Sequence, residues 1–375
     1  MDGHARWDAY GALQLSGTSL PLLDRARVYA CGITPYDVTH LGHAATFVWV
    51  DVLGRVLRLV GVEPDVCRNV TDVDDVLDAA AARAGTDADW FAAVGQFRFE
   101  TEMAKLNLRQ PQHEPRAHRY IPHVVRLARH LVESGSAYVR DGSVYFRGHH
   151  VPARAGVDRR RARELAVEFD GRPDDPAKDD PFDVAVWQAA GPDRVGWESP
   201  WGTGRPGWHA ECVAMSASVF GVGVDIHAGG ADLTFPHHAY HAAIAEALTG
   251  VTPYTRAWLH IGTVTVAGRK MAKSADNLVL VPDLLTEHAP AVLRMMILDR
   301  RWQDSWDFSI DQLDAAGARL EQLYSAAGRR ATDGTAPERV RRALSTELDV
   351  PAALDIAIDS GGDSARSLVT VLGLS

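Results

Sequence analysis

Two histidines separated by Leu-Gly stand at the start of a predicted helix. They form the segment His40-Leu41-Gly42-His43, which follows a short apolar run at 26–31 that predicts a buried strand. Backbone N–H groups at a helix N-terminus attract anions, and Gly42 lets a ligand approach closely. Both imidazoles can donate hydrogen bonds to phosphate oxygens. The segment predicts a phosphate-binding role, although two surface histidines at a helix start would also account for it.

A second cluster places two lysines in a predicted loop after a pair of strands. The segment Lys270-Met271-Ala272-Lys273-Ser274 holds two of the four lysines in a chain with 39 lysine and arginine residues. Two ammonium groups in a loop can neutralise a pyrophosphate as negative charge develops on it. A solvated basic turn is the alternative interpretation, and the scarcity of lysine elsewhere weighs against it.

Cysteine and histidine side chains form a third candidate group. Cys31 ends the first predicted strand, and Cys212 lies in a predicted helix. His237 and His241 are four residues apart, so they share one face of a predicted helix over 236–248. Two thiolates with one or two imidazoles suit Zn²⁺. Scattered residues are a weaker signal than paired Cys-x-x-Cys motifs, and Cys67 is interpreted as a core cysteine.

The first two clusters, in this order and about 230 residues apart, resemble the paired signature of class I aminoacyl-tRNA synthetases. The resemblance implies a Rossmann-like (HUP) α/β domain with a parallel sheet that binds ATP. It also implies a reaction in two steps. An amino acid and ATP give an aminoacyl-adenylate and pyrophosphate, and the acyl group then passes to an acceptor.

Four further segments resemble the cysteinyl-tRNA synthetases within this class. They are CGITPYD at 31–37, NVTDVDD at 69–75, GRPGWHAEC at 204–212 and GGADLTFPHH at 229–238. The resemblance implies a bound zinc that takes the thiolate of substrate cysteine and thereby selects cysteine over serine. A soft thiolate binds zinc far better than a hydroxyl does, which makes such selection physically reasonable.

The resemblance also assigns candidate site residues by position. Those expected at ATP are Thr34, His40, Gly42, His43, Gly229, Asp232, Lys270, Met271, Lys273 and Ser274, of which His40, His43, Lys270 and Lys273 are the catalytic residues. Those expected at the substrate cysteine are Cys31, Gly32, Thr34, Thr71 and Trp208. The expected zinc ligands are Cys31, Cys212, His237 and His241. Mg²⁺ is expected to accompany ATP.

Several features favour a small-molecule acceptor over tRNA. The Ile33-Thr34-Pro35 segment resembles the cysteine ligases of mycothiol biosynthesis, which join cysteine to the amine of glucosaminyl-inositol. The sequence after the lysine loop leaves room for one small helical domain. A net charge of −10 gives no support for a basic nucleic-acid-binding face. The expected partners are therefore ATP, cysteine and an amine, with nucleic acid disfavoured.

Two positions depart from the resemblance and keep alternatives open. Ala272 replaces the serine usual in the lysine motif. His241 stands where the tRNA enzymes have a glutamate ligand and the mycothiol ligases have none, so a Cys₂His₂ site is the favoured interpretation. The alternatives are a ligase paralogue that uses another amine or amino acid, a truncated cysteinyl-tRNA synthetase and, less favoured, a non-catalytic binding module.

The order of predicted elements indicates an interrupted catalytic domain. We expect residues 1–106 and 204–308 to form the two halves of the sheet domain, 107–203 a connective insertion, and 309–375 a helical C-terminal domain. Residues 1–24 are predicted to be an irregular lead-in. Within the insertion, the polar stretch 157–181 predicts an exposed loop.

Composition indicates where the protein works. A hydrophobic content of 46% excludes wholesale disorder, and no run of about 18 apolar residues predicts a membrane span. No secretory leader is evident, and three cysteines are an odd number for a disulfide scaffold. We expect a cytoplasmic protein that is a monomer or a homodimer.

Overall fold

This computed structural model describes residues 12–36, 38–191, 194–271 and 275–375. Its strands are β1 (Ala12–Leu15), β2 (Thr18–Pro21), β3 (Arg25–Ile33), β4 (Glu63–Val70), β5 (Ala137–Arg140), β6 (Ser143–Phe146), β7 (Val184–Ala189), β8 (Gly204–Pro206), β9 (Val224–Gly230), β10 (Thr255–Ile261), β11 (Val264–Val266), β12 (Arg269–Lys270) and β13 (Trp306–Asp307).

Helices occupy much of the remaining described chain. They are α1 (Leu41–Leu59), α2 (Asp75–Arg83), α3 (Ala88–Lys105), α4 (Ile121–Glu133), α5 (Val151–Arg154), α6 (Arg159–Glu168), α7 (Trp208–Phe220), α8 (Ala239–Thr249), α9 (Val281–Glu287), α10 (Pro290–Leu298), α11 (Asp311–Gly328), α12 (Ala336–Ser345), α13 (Val350–Ser360) and α14 (Asp363–Leu372). None of those in the described ranges is both long and apolar enough to cross a bilayer.

A parallel sheet lies at the centre of the fold. Its strands run in the order β10-β9-β3-β4, and each neighbouring pair is parallel. Val28 and Ala30 of β3 belong to one hydrophobic core, whereas Tyr29 and Cys31 belong to another. The sheet is therefore covered on both faces, as parallel sheets usually are. This arrangement confirms the parallel α/β sheet predicted from the sequence.

The insertion between β4 and β9 carries its own antiparallel sheet, with strand order β5-β6-β7-β8. Its last strand, β8, begins at Gly204 and so lies just beyond the expected boundary at residue 203. The helices α11 to α14, by contrast, share the hydrophobic core that lies against one face of the parallel sheet.

The polar stretch at 157–181 contains a helix, so the prediction of an exposed loop throughout was wrong. The carboxylate of Asp158 accepts hydrogen bonds from the backbone N–H groups of Arg160 and Arg161, which starts α6. Ala162 is fully buried and anchors the helix to the protein. The helix is hard to recognise in the sequence, because its only signs are the capping residue Asp158 and the single buried residue Ala162 among many charged residues.

One other local prediction was also wrong, and a second, on the helix from Pro236, was right. Residues within the predicted lead-in form the β1–β2 hairpin, because Leu13 and Leu15 alternate into the core while Gly17 takes the positive φ of the turn. The helix expected from Pro236 is confirmed, because Phe235 is the one residue of Thr234–His238 with a non-helical, extended backbone, and helical backbone angles continue from Pro236 into α8. His237 and His241 therefore lie one turn apart on the same helical stretch.

Candidate active site

A cavity of about 490 Å³ lies at the carboxyl ends of β3, β9 and β10. Ligands of open parallel sheets bind at this edge. The cavity is lined by most of the candidate residues predicted from the sequence: Cys31, Gly32, Thr34, His40, Gly42, His43, Thr71, Trp208, Cys212, Asp232, His237, Lys270 and Met271. Gly229 and His241 are absent from this lining, and Lys273 and Ser274 lie outside the described residues.

The histidine segment forms the N-terminus of α1. His40 is the N-cap residue, and its Nδ1 accepts a hydrogen bond from the Gly42 N–H at 3.1 Å. A neutral His40 ring therefore carries its proton on Nε2. The rings of His40 and His43 stack with their centroids 3.8 Å apart. The result is a helix N-terminus bearing two imidazoles at the cavity wall, which suits the binding of phosphate oxygens.

Lys270 reaches the same cavity from the second half of the sheet domain. Its Nζ lies 2.6 Å from a carboxylate oxygen of Asp232, which follows β9. β12 pairs with β11, and this pairing sets Lys270 opposite Thr265. A Cβ atom on Gly42 would lie 3.0 Å from the His40 ring and 3.4 Å from the Met271 side chain, so the glycine leaves room for the capping imidazole, and the lysine segment lies next to α1. The two motifs, distant in sequence, are neighbours in the structure.

A thiol and imidazole cluster lies at the inner end of the cavity. The ligand atoms of Cys31, Cys212 and His237 all lie within 4.8 Å of one another, and all three residues are buried. His237 Nδ1 lies 2.9 Å from His209 Nδ1, whereas His237 Nε2 is buried with no hydrogen-bond partner. A buried imidazole nitrogen without a partner, beside two sulfurs, fits a metal ligand held in orientation by its other nitrogen.

The electrostatics of this cluster also fit a cation. Burial raises the pKa of the Cys31 thiol well above its ordinary value, and the hydrogen bond and proximity to Cys212 raise the pKa further. Burial lowers the pKa of His237 well below its ordinary value, so its ring is neutral. Two thiolates would repel each other strongly here unless a cation lies between them. A neutral imidazole and two thiolates are a donor set that zinc prefers.

Comparisons with known proteins agree with this geometry. The family described as "tRNA synthetases class I (C) catalytic domain" matches residues 21–318. The chain belongs to this family. The resemblance, the fold class and the enzyme class predicted from the sequence are thereby confirmed.

Two relatives within the family match the chain over most of its length, and both are called L-cysteine:1D-myo-inositol 2-amino-2-deoxy-alpha-D-glucopyranoside ligase. The one from Streptomyces griseus subsp. griseus is 41% identical over 338 residues, which cover 88% of this chain and 82% of the relative. The one from Thermobispora bispora is 37% identical over 388 residues, which cover 97% of this chain and 96% of the relative.

A solved structure shows the same fold at low sequence identity. The methionyl-tRNA synthetase of Mycobacterium tuberculosis, in complex with methionyl-adenylate, is 15% identical to the chain, with a TM-score of 0.66. The match covers 94% of this chain and 89% of that one.

Several residues that sequence reasoning missed support the members of this site. The Nε2 atoms of His227 and His238 each lie 3.3 Å from Cys31 Sγ. Asn69 accepts a hydrogen bond from the Gly32 N–H at its side-chain oxygen, and its amide donates to Thr71 Oγ1. His227 ends a predicted strand, as Cys31 does, and that position was the available sign that the two residues meet.

The structure does not bring His241 into the thiol and imidazole cluster. Among the described residues, the groups of closely spaced ligand atoms that contain Cys31 include other histidines but not this one. His241 Nε2 lies 3.0 Å from Ser216 Oγ, and burial lowers the pKa of the ring to about 3. His241 Nδ1, like His237 Nε2, is buried with no hydrogen-bond partner, so ligation by His241 stays a prediction. The three ligand atoms that do lie close together would leave one position of a tetrahedral site open.

Replacement of His241 by alanine distinguishes the two arrangements. With three ligands, we expect His241→Ala to retain one zinc ion per chain, because Cys31, Cys212 and His237 keep their positions. Elemental analysis of the purified variant, after dialysis against a weak chelator, measures this directly. His241→Gln is a matched variant that keeps a polar partner for Ser216. Loss of zinc from both variants would restore the four-ligand site.

Proposed function

We propose that the protein is an ATP-dependent ligase that activates L-cysteine as cysteinyl-adenylate and transfers it to a small-molecule amine, glucosaminyl-inositol or a related amine. One observation carries the proposal. A single cavity joins the N-terminus of α1, with its two histidines, and Lys270 to a buried pair of cysteines with His237. The names of the relatives support cysteine and an amino sugar as the two substrates.

The first step forms the adenylate. ATP binds with its phosphates against the N-terminus of α1, where His40 and His43 donate hydrogen bonds, and Mg²⁺ accompanies it. The carboxylate of cysteine attacks the α-phosphorus, and the bond to pyrophosphate breaks. Lys270 neutralises charge that develops on the leaving pyrophosphate. Positioning and charge carry the rate, since no covalent intermediate on a protein side chain is required.

The second step forms the amide. The acceptor amine attacks the carbonyl carbon of the adenylate, loses a proton and displaces AMP. Zinc held by Cys31, Cys212 and His237 would bind the thiolate of the substrate and so distinguish cysteine from serine. Trp208 and Thr71 line the same end of the cavity, and Asn69 holds Thr71 in place. These residues orient the amino acid for attack.

An assay with defined acceptors tests the proposal. Purified protein, freed of RNA by nuclease treatment, is incubated with ATP, cysteine and a panel of amines that includes glucosaminyl-inositol. We expect AMP release that depends on both cysteine and an amine, and a cysteinyl amide detected by mass spectrometry. Serine in place of cysteine is the matched control for the amino acid. Charging of cysteine tRNA, with no amide formed from any small amine, would contradict the proposal.

We include a reducing, cytoplasmic environment in this proposal. Cys31, Cys67 and Cys212 are all buried and free of disulfide bonds, and such thiols persist in reducing compartments. We also propose that the protein acts as a monomer or a homodimer without nucleic acid, and sedimentation of the purified protein measures this.

A further inference from the structure

The end of α6 brings an aromatic side chain against two residues that line the active-site cavity. Phe169 follows the last residue of this helix, and its ring stacks on Trp208 with centroids 6.1 Å apart and planes inclined by 22°. Trp208 stacks in turn on His237, with centroids 4.0 Å apart. Lys270 Nζ lies 5.7 Å from the Phe169 ring centroid. One residue of the insertion therefore lies against a lining residue on the amino-acid side, Trp208, and one on the phosphate side, Lys270.

The backbone around Phe169 holds this ring in place. The Phe169 N–H donates to Leu165 O at 3.1 Å, and the Gly171 N–H donates to Ala166 O at 2.7 Å. A Cβ on Gly171 would lie 2.6 Å from Ala166 O, so only glycine allows so tight a closure of the helix end. Phe169 is thus fixed by the helix and does not depend on a long loop.

Phe169 is placed for contact with the site and contributes little to the core. It is half-buried, and it belongs to neither hydrophobic core of the described chain. Its removal creates no core cavity, which is the usual cause of large losses of stability on truncation of an aromatic residue. Its ring instead stacks on the indole of Trp208 and lies beneath the ammonium group of Lys270. Stacked aromatic pairs and cation–π contacts each change an equilibrium roughly two- to tenfold.

We propose that Phe169 is a positioning residue for adenylate formation. Its ring holds the Trp208 indole over the cysteine end of the cavity and holds the Lys270 ammonium beside Asp232, where ATP phosphates enter. The connective insertion thereby sets the geometry of both substrate subsites through one side chain. This inference rests on the proposed function, because it assigns a role within the activation of cysteine by ATP.

Pyrophosphate exchange by the zinc-loaded protein tests the role. We expect Phe169→Ala and Phe169→Leu to raise the KM values for cysteine and ATP about three- to tenfold and to lower kcat by a similar factor, because Lys270 also acts in the transition state. Phe169→Tyr keeps the ring and is expected to restore both KM values. Val167→Ala is the matched control, since Val167 lies on the same helix with 57% of its surface exposed. The melting temperature is measured for every variant.

The aromatic series makes the outcome decisive. KM values of Phe169→Leu equal to those of the unmutated protein would show that the ring is not needed, and would overturn the inference. A lowered melting temperature with unchanged KM values would also overturn it, because the role would be structural alone. Absence of cysteine-dependent exchange in the unmutated protein would instead contradict the proposed function. ATP binding by equilibrium dialysis then still tests the Lys270 contact, and weaker binding by Phe169→Ala supports it whereas unchanged binding overturns it.

Discussion

Replacement of Cys212 by alanine is expected to remove bound zinc and to lower cysteine-dependent adenylate formation by more than roughly 100-fold. Loss of a group that only hydrogen-bonds to a metal ligand already lowers metal affinity or activity about 10- to 100-fold, and Cys212 is expected to be a ligand itself. Cys212 supplies one of the three closely spaced ligand atoms, and only Cys31 and His237 would remain. Two ligands hold zinc far less tightly than three or four. Metal analysis and pyrophosphate exchange with cysteine measure the two effects.

The chain offers a matched control for this substitution. Cys67 is also a fully buried cysteine, but it belongs to neither group of candidate ligands found among the described residues. Cys67→Ala is expected to keep one zinc ion per chain and ordinary exchange activity. A Cys212→Ala protein that also retains zinc, with an unchanged KM for cysteine, would show that the thiol cluster does not hold the metal.

Much of the site was predictable because local patterns determine where its residues lie. Cys31 ends a strand, His40 begins a helix, and Gly42 permits close packing, and each of these follows from a few neighbouring residues. Motifs typical of the class also indicate which distant segments meet, because the loops that follow parallel strands lie at one edge of the sheet. Lys270 and Asp232, which are 38 positions apart, meet at that edge.

The histidine pair shows where local reasoning stops. A spacing of four residues on a helix places two side chains on one face, and His237 and His241 keep this relation because the extended Phe235 precedes both of them. A shared face does not determine which neighbours each imidazole contacts. His237 lies beside the two cysteines, whereas His241 contacts Ser216. No pattern in the sequence distinguishes these two outcomes.

Phe169 shows a second limit. Its contacts with Trp208 and Lys270 cross 39 and 101 positions of the chain, and they depend on how the insertion packs on the sheet domain. The charged residues before it predicted a loop, and a predicted loop indicates no direction for its ring. Contacts of this kind arise from tertiary packing, which local propensity does not determine.

Replacement of Lys270 by alanine is expected to slow adenylate formation roughly 100- to 1,000-fold, as for the loss of one group that stabilises developing charge. Its ammonium lines the cavity near the helix terminus of His40 and is held by Asp232. Stability should change little, because the side chain of Lys270 is 51% exposed and exposed ion pairs contribute little. Pyrophosphate exchange and a thermal melt measure both quantities.

The neighbouring cation provides the control that separates local chemistry from net charge. Arg269 is exposed and precedes Lys270 on β12, so its side chain points to the opposite side of the strand. Arg269→Ala removes the same charge and is expected to leave exchange within about twofold, since a surface cation away from the cavity is screened. The kinetic parameter that changes in Lys270→Ala then identifies the role. A fall in kcat indicates stabilisation of the transition state, whereas a rise in the KM for ATP alone indicates ground-state binding and would contradict the proposed role in pyrophosphate departure.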